Sequence, residues 1–188
     1  MTKKEIETFC PSSPADWRAW LEKHHQSKPS IWLVYYRAAT LKPSLTWSEA
    51  VDEALCFGWI DSTKKTIDKE RYMQYFTPRK PSSTWSMVNK KKVAQLLEKD
   101  RIAPAGLKAI EVAKQNGMWT ILDDVERLII PADLKAALQE QEGALEFFQS
   151  QSKSLQKQML YRVIIVKRAE TRKKKIAEVV QFAKQKGN

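Results

Sequence analysis

The chain has 188 residues, 43% of them hydrophobic and 29% charged, with a formal net charge of +11; this suits one domain with a real core or two small lobes. No apolar run approaches the ~20 residues that span a bilayer, the charged start Met1–Thr8 lacks the apolar core of a secretory signal, and a content of only 5 Gly argues against extended disorder. Cys10 and Cys56 lie far apart in no C-x-x-C arrangement, which argues against a structural disulfide and for a reducing cytoplasm.

Helix starts are legible. Ser13-Pro14-Ala15-Asp16 offers an N-cap, a proline at the first helical position and an acid in the first turn, predicting a helix to about His25 that buries Trp17, Trp20 and Leu21. Ile31–Tyr36 is β-branched and aromatic, and short enough to be a strand. Thr46-Trp47-Ser48-Glu49 reads as a capping box, and Gly58 as the stop of its helix. Trp59–Thr66 and Arg71–Pro78 then read as two strands around the polar turn Asp68-Lys69-Glu70.

Beyond Pro81 the pattern is helical. A helix over Ser86–Glu98 has apolar Val88, Val93, Leu96 and Leu97; another opens at Pro104 and closes at Gly117; a third opens at Pro131 with Leu134, Ala137 and Leu138 on one face. At the C-terminus, a stripe of Leu155, Met159, Val163 and Val166 precedes a second of Ile176, Val179, Val180 and Ala183, with a break expected near Glu170–Lys175. The expected fold is therefore α+β and helix-dominated: a small antiparallel three-stranded sheet covered by helices, with an all-helical C-terminal half. It reads as a single domain over 1–188, with a front α+β lobe of about 1–82 and a helical lobe of about 83–188.

The densest chemistry lies between Thr46 and Asn89. There E-A-L-C-F-G-W-I-D-S is followed by T-P-R-K-P-S-S-T-W-S-x-x-N. These motifs resemble the YdeI/OmpD-associated, or bacteriocin-protection, family. Ala103–Leu107, Ala113-Lys114, Gly117-x-Trp119 and the run Lys167–Ala177 extend the resemblance over nearly the whole chain. It implies a small cytoplasmic bacterial protein linked to survival of antimicrobial peptides or to envelope stress. It supplies no reaction, no cofactor and no catalytic residue, and none is assigned.

Pairing the two strands brings Asp61 and Arg79 to one end of the sheet, where a bidentate ion pair is the simplest outcome. Trp59 and Trp85 could wall the same region, and Ser86 and Asn89 offer hydrogen-bonding groups. These six residues form the candidate ligand site, suited to a small anionic or planar ligand; the alternative is that they fill the core and lock two elements together. An enzyme reading of the same cleft makes Asp61 the acid/base and Arg79 the anion clamp. Cys56 stands at a helix C-terminus, where the dipole disfavours a thiolate, and His24-His25 cannot place both rings on one helix face. No metal-ligand spacing is present.

The charge is uneven: from Gln151 to Asn188 eleven Lys/Arg face two Glu, a net of +9. Arg172, Lys173, Lys174 and Lys175 form a candidate basic surface for a protein partner, an anionic lipid or nucleic acid. Arg71, Arg79, Lys80 and Lys90–Lys92 interleave with Tyr72, Tyr75, Phe76 and Trp85, a composition shared with single-stranded nucleic-acid platforms, although no recognised nucleic-acid motif is present. The leading expectation is a non-enzymatic ligand- or partner-binding module, with a small-molecule enzyme and a nucleic-acid binder as alternatives.

Overall fold

The computed structural model describes residues 7–187, with side chains described through Lys184. Met1–Ile6, the bulk of the stretch that carries the signal-peptide expectation, lies outside the described residues. The chain divides into two compact units. The first runs through Ser83 and takes in Val88–Asn116; the second comprises Thr84–Met87 and the chain from Gly117 onward.

In the first unit the order is β1 (Thr8–Phe9), α1 (Pro14–His24), β2 (Ile31–Tyr36), a 3-10 turn at Ala38–Thr40, α2 (Trp47–Cys56), β3 (Trp59–Thr66), β4 (Arg71–Pro78), α3 (Met87–Glu98, all but its first residue) and α4 (Pro104–Gln115). The second unit holds α5 (Asp123–Glu126), α6 (Ala132–Gln139), α7 (Ala144–Ser150), α8 (Lys153–Ile164) and α9 (Ala169–Gly187). The caps form as their residues dictate. Ser13 Oγ accepts from the Asp16 N–H, and at the start of α2 Thr46 and Glu49 satisfy each other's backbone N–H groups. Gly58 ends α2 with φ +72, a conformation that residues with a Cβ resist.

The expected three-stranded antiparallel sheet is corrected to a four-stranded mixed sheet of order β1-β2-β4-β3. The extra strand is two residues long, too short to show alternation, and it pairs parallel with β2. Phe9 anchors it by stacking on Trp20, with ring centroids 6.2 Å apart.

Register assigns the faces. Ile31, Leu33 and Tyr35 of β2 stand opposite Phe76, Gln74 and Tyr72 of β4, and α1 and α2 cover this side. The Trp17 ring meets Phe76 edge-on at 5.5 Å, and its Nε1–H donates to the Ala50 carbonyl at 3.0 Å. Trp17, Leu21, Leu33, Ala54 and Leu55 are fully buried, whereas Trp20 is only partly buried. Helix α4 approaches α2 through Gly106, where a Cβ would press directly on the Cys56 carbonyl group. On α3, Val93 and Leu96 are buried but Val88 and Leu97 are exposed, so its apolar residues do not share one face.

The second unit has its own core of Leu134, Leu138, Phe148, Leu160, Val163, Val179 and Ala183. The expected break between two terminal helices is present but falls at residues 165–168, a few residues earlier, and Glu170–Lys175 is itself helical within α9. Arg172 supplies the physical reason. It forks onto both Asp133 oxygens at 2.6 and 2.9 Å and donates to the Val163 carbonyl near the end of α8 at 2.9 Å. Among the described residues no helix is long and apolar enough to cross a membrane.

Candidate functional site

Asp61 is the third residue of β3, opposite Phe76, and so lies on the helix-covered side of the sheet. The ladder is regular up to this point and then slips: three steps along β3, to Lys64, match two steps along β4, to Gln74. The resulting bulge at Ser62-Thr63 follows Asp61 directly and bends the strand there. Two N–H donors converge on Asp61 Oδ2. Trp47 Nε1–H, from the first position of α2, lies at 2.9 Å, and the Gln74 amide is the second donor. Asp61 Oδ1 accepts from none of the described residues.

Tyr35 completes the group. Its ring is fully buried and stacks on Tyr72 at 4.8 Å, nearly parallel. Its hydroxyl is buried and has no hydrogen-bond partner among the described residues. Burial first, then the neighbouring Tyr72 and Asp61, push the Tyr35 pKa well above the usual phenol range. The hydroxyl is thus a neutral donor within electrostatic reach of a carboxylate, inside a protein layer where an unmade hydrogen bond is costly.

Arg79 follows the last residue of β4, and its backbone N–H donates to the Gly58 carbonyl at 2.8 Å. That bond places it beside the start of β3, at the same end of the sheet as Trp59 and Asp61. Burial lowers the Arg79 pKa to about 10, and the Asp61 charge opposes that fall. Asp61 and Arg79 therefore feel each other's charge, but the hydrogen bonds of the Asp61 carboxylate come from Trp47 and Gln74.

The other predicted residues are placed as follows. Trp59 is 1% exposed, donates to the His25 carbonyl at 3.2 Å and meets Trp20 edge-on, so it backs the site from the core. Asn89 is partly buried in the first turn of α3, in the first unit. Trp85 and Ser86 belong to the second unit, where Trp85 is buried against Trp119 at 5.0 Å. Sequence reasoning missed Tyr35, Trp47 and Gln74. Gln74 gave little signal, because both alternating sets of its strand, Tyr72-x-Gln74-x-Phe76 and Arg71-x-Met73-x-Tyr75, mix one polar residue with large apolar ones.

A second buried polar cluster lies on α2. The Glu53 carboxylate, 2% exposed, is clamped by Arg18 at 3.1 Å and by Arg101. Burial, then the Glu53 charge, push the Cys56 thiol up, against the opposing effect of Arg18. His25 Nδ1–H donates to the Leu21 carbonyl at 2.8 Å. Among the described residues, no three His, Cys, Asp or Glu side chains gather in a way that could hold a metal ion. In the basic run, Arg172 is engaged by Asp133 and Lys175 by Glu178 at 2.8 Å, while Lys173 and Lys174 are exposed.

Residues 9–109 match the family described as a domain of unknown function, DUF8412. The chain belongs to the DUF8412 family. In this DUF8412 chain, residues 127–186 also match the family described as bacteriocin-protection, YdeI or OmpD-associated, which supports the resemblance drawn from its motifs. The first match covers every element that builds the Asp61 site; the second covers α6 to α9 but for the last residue of α9. No curated protein and no solved structure matches the chain.

Proposed function

We propose that this chain acts by binding rather than by catalysis, in the context of antimicrobial-peptide or envelope stress that the bacteriocin-protection match suggests. The observation that carries the reading is the pairing of an orphan buried hydroxyl on Tyr35 with a half-satisfied carboxylate on Asp61. A ligand bearing an acceptor for Tyr35 and a donor for Asp61 Oδ1 would relieve both. The exposed ring of Trp47 offers a stacking surface beside them, so a small planar ligand fits best.

Direct sequestration of cationic peptides is disfavoured for a chain of net charge +11, so protection would be indirect. A cytoplasmic setting is consistent with a pair of free cysteines. The test is thermal stability across a metabolite and nucleotide panel. A ligand that binds only the native state raises the midpoint by mass action. Loss of that rise in both Asp61→Asn and Tyr35→Phe supports the site; a full rise in both variants refutes it. Turnover of the stabilising ligand, abolished in Asp61→Asn while the fold persists, would favour the enzyme alternative.

A further inference from the structure

The other side of the sheet carries a different chemistry. Trp32, Val34 and Tyr36 of β2 stand opposite Tyr75, Met73 and Arg71 of β4. Helices α1 and α2 lie on the opposite side. Here Val34 is buried, but the larger Trp32, Tyr36, Met73 and Tyr75 around it are all partly exposed. Trp32 and Tyr75 are cross-strand neighbours with ring centroids 4.9 Å apart, and Tyr36 lies further along β2 on the same face.

Cations rest on these rings. Lys65 Nζ sits 4.8 Å from the Trp32 ring centroid, and Lys42 Nζ sits 4.9 Å from that of Tyr36. Beyond Tyr36 a depression of about 500 Å³ is lined by Lys42, Lys69 and Arg71 together with Asp68 and Glu70. The two acids are already paired, Asp68 with Arg71 and Glu70 with Lys42, both at 2.8 Å. Lys65 and Lys69 therefore leave the face with an excess of positive charge. Aromatic rings set along a strand under long, exposed ammonium side chains match the needs of unpaired bases on a phosphate backbone: each base has a π-face to stack, and each phosphate needs a cation.

We propose that this open face binds single-stranded nucleic acid, with bases stacked on Trp32, Tyr75 and Tyr36, with Lys65 swung from the Trp32 ring onto a phosphate and with Lys69 meeting another. The assignment is independent of the Asp61 site, which lies on the covered side.

The test is fluorescence anisotropy of the full chain with labelled twelve-nucleotide oligo-dT and oligo-U, and with a duplex of equal length. Single strands should bind more tightly than duplex, and more weakly as salt rises. Tyr75→Ala should weaken single-strand binding by about tenfold, the usual scale of one stacked base. Lys65→Glu, an exposed change that leaves the core untouched, should weaken it several-fold and flatten its salt slope. Lys173→Glu with Lys174→Glu, in the second unit, should change neither. Binding that survives both Tyr75→Ala and Lys65→Glu, or that prefers duplex, overturns the proposal. Absence of single-strand binding overturns it as well; self-association that Lys65→Glu abolishes would then mark the face as an interface between copies of the chain.

Discussion

Replacing Tyr35 by Phe removes one oxygen from the interior and leaves the ring where it is. The side chain is fully buried, its stack on Tyr72 needs only the ring, and its hydroxyl has no partner among the described residues. An unsatisfied buried hydroxyl costs about 1–3 kcal/mol, whereas loss of a satisfied one costs roughly 1 kcal/mol in the opposite direction. Tyr35→Phe is therefore expected to stabilise the protein by ~1 kcal/mol, equivalent to a rise in Tm of about 2–4 °C for a chain of this size. Urea titration followed by tryptophan fluorescence suits the measurement, because Trp17, Trp20, Trp32, Trp47 and Trp59 all report on the first unit. The midpoint should rise with an unchanged slope. A destabilised or unchanged variant would show that the hydroxyl is satisfied in solution, and the argument for a ligand at Asp61 would lose its main support.

Gly106→Ala should cost roughly 2–3 kcal/mol, because its Cβ would press on the Cys56 carbonyl carbon at 2.9 Å and on the Ile102 side chain at 2.7 Å; calorimetry should show a lowered midpoint. Arg172→Ala should cost about 1–2 kcal/mol, discounted for the half-exposed Asp133, and Arg172→Lys should recover only part, since an ammonium cannot make the fork. The Arg172 hydrogen bonds hold the Asp133 carboxyl below the usual carboxylate range. The ion-pair part of its contribution is therefore present at neutral pH and is lost as pH falls below about 4; in acid titrations the stability gap between wild type and Arg172→Ala should narrow there to what the Val163 carbonyl bond retains. A thiol reagent should label exposed Cys10 in the native protein and reach Cys56 only on unfolding, with peptide mass mapping as the readout.

Much of the backbone was legible because its signals are local. A cap, a proline at a first helical turn and a stop glycine act over about four residues, so α1, α2 and the strands Ile31–Tyr36, Trp59–Thr66 and Arg71–Pro78 follow from residues adjacent in the chain. Local signals misplaced the final break because the charged run at Glu170–Lys175 looks like a loop until Asp133, on a distant helix, pairs with Arg172. They also missed β1, which two residues hold only because Phe9 finds Trp17 and Trp20.

The sequence by itself determined that Asp61 and Arg79 stand at one end of a strand pair, but not which side chains surround them. Only the tertiary structure decided what touches what. The Asp61 partners Trp47 and Gln74 lie 14 and 13 residues away in the chain; strand pairing brought Gln74 to its carboxylate, and the packing of α2 on the sheet brought Trp47. Register also divided the aromatic residues between a covered side and an open one. A slip of one residue would exchange the two sides, and no local pattern encodes which side the helices will cover.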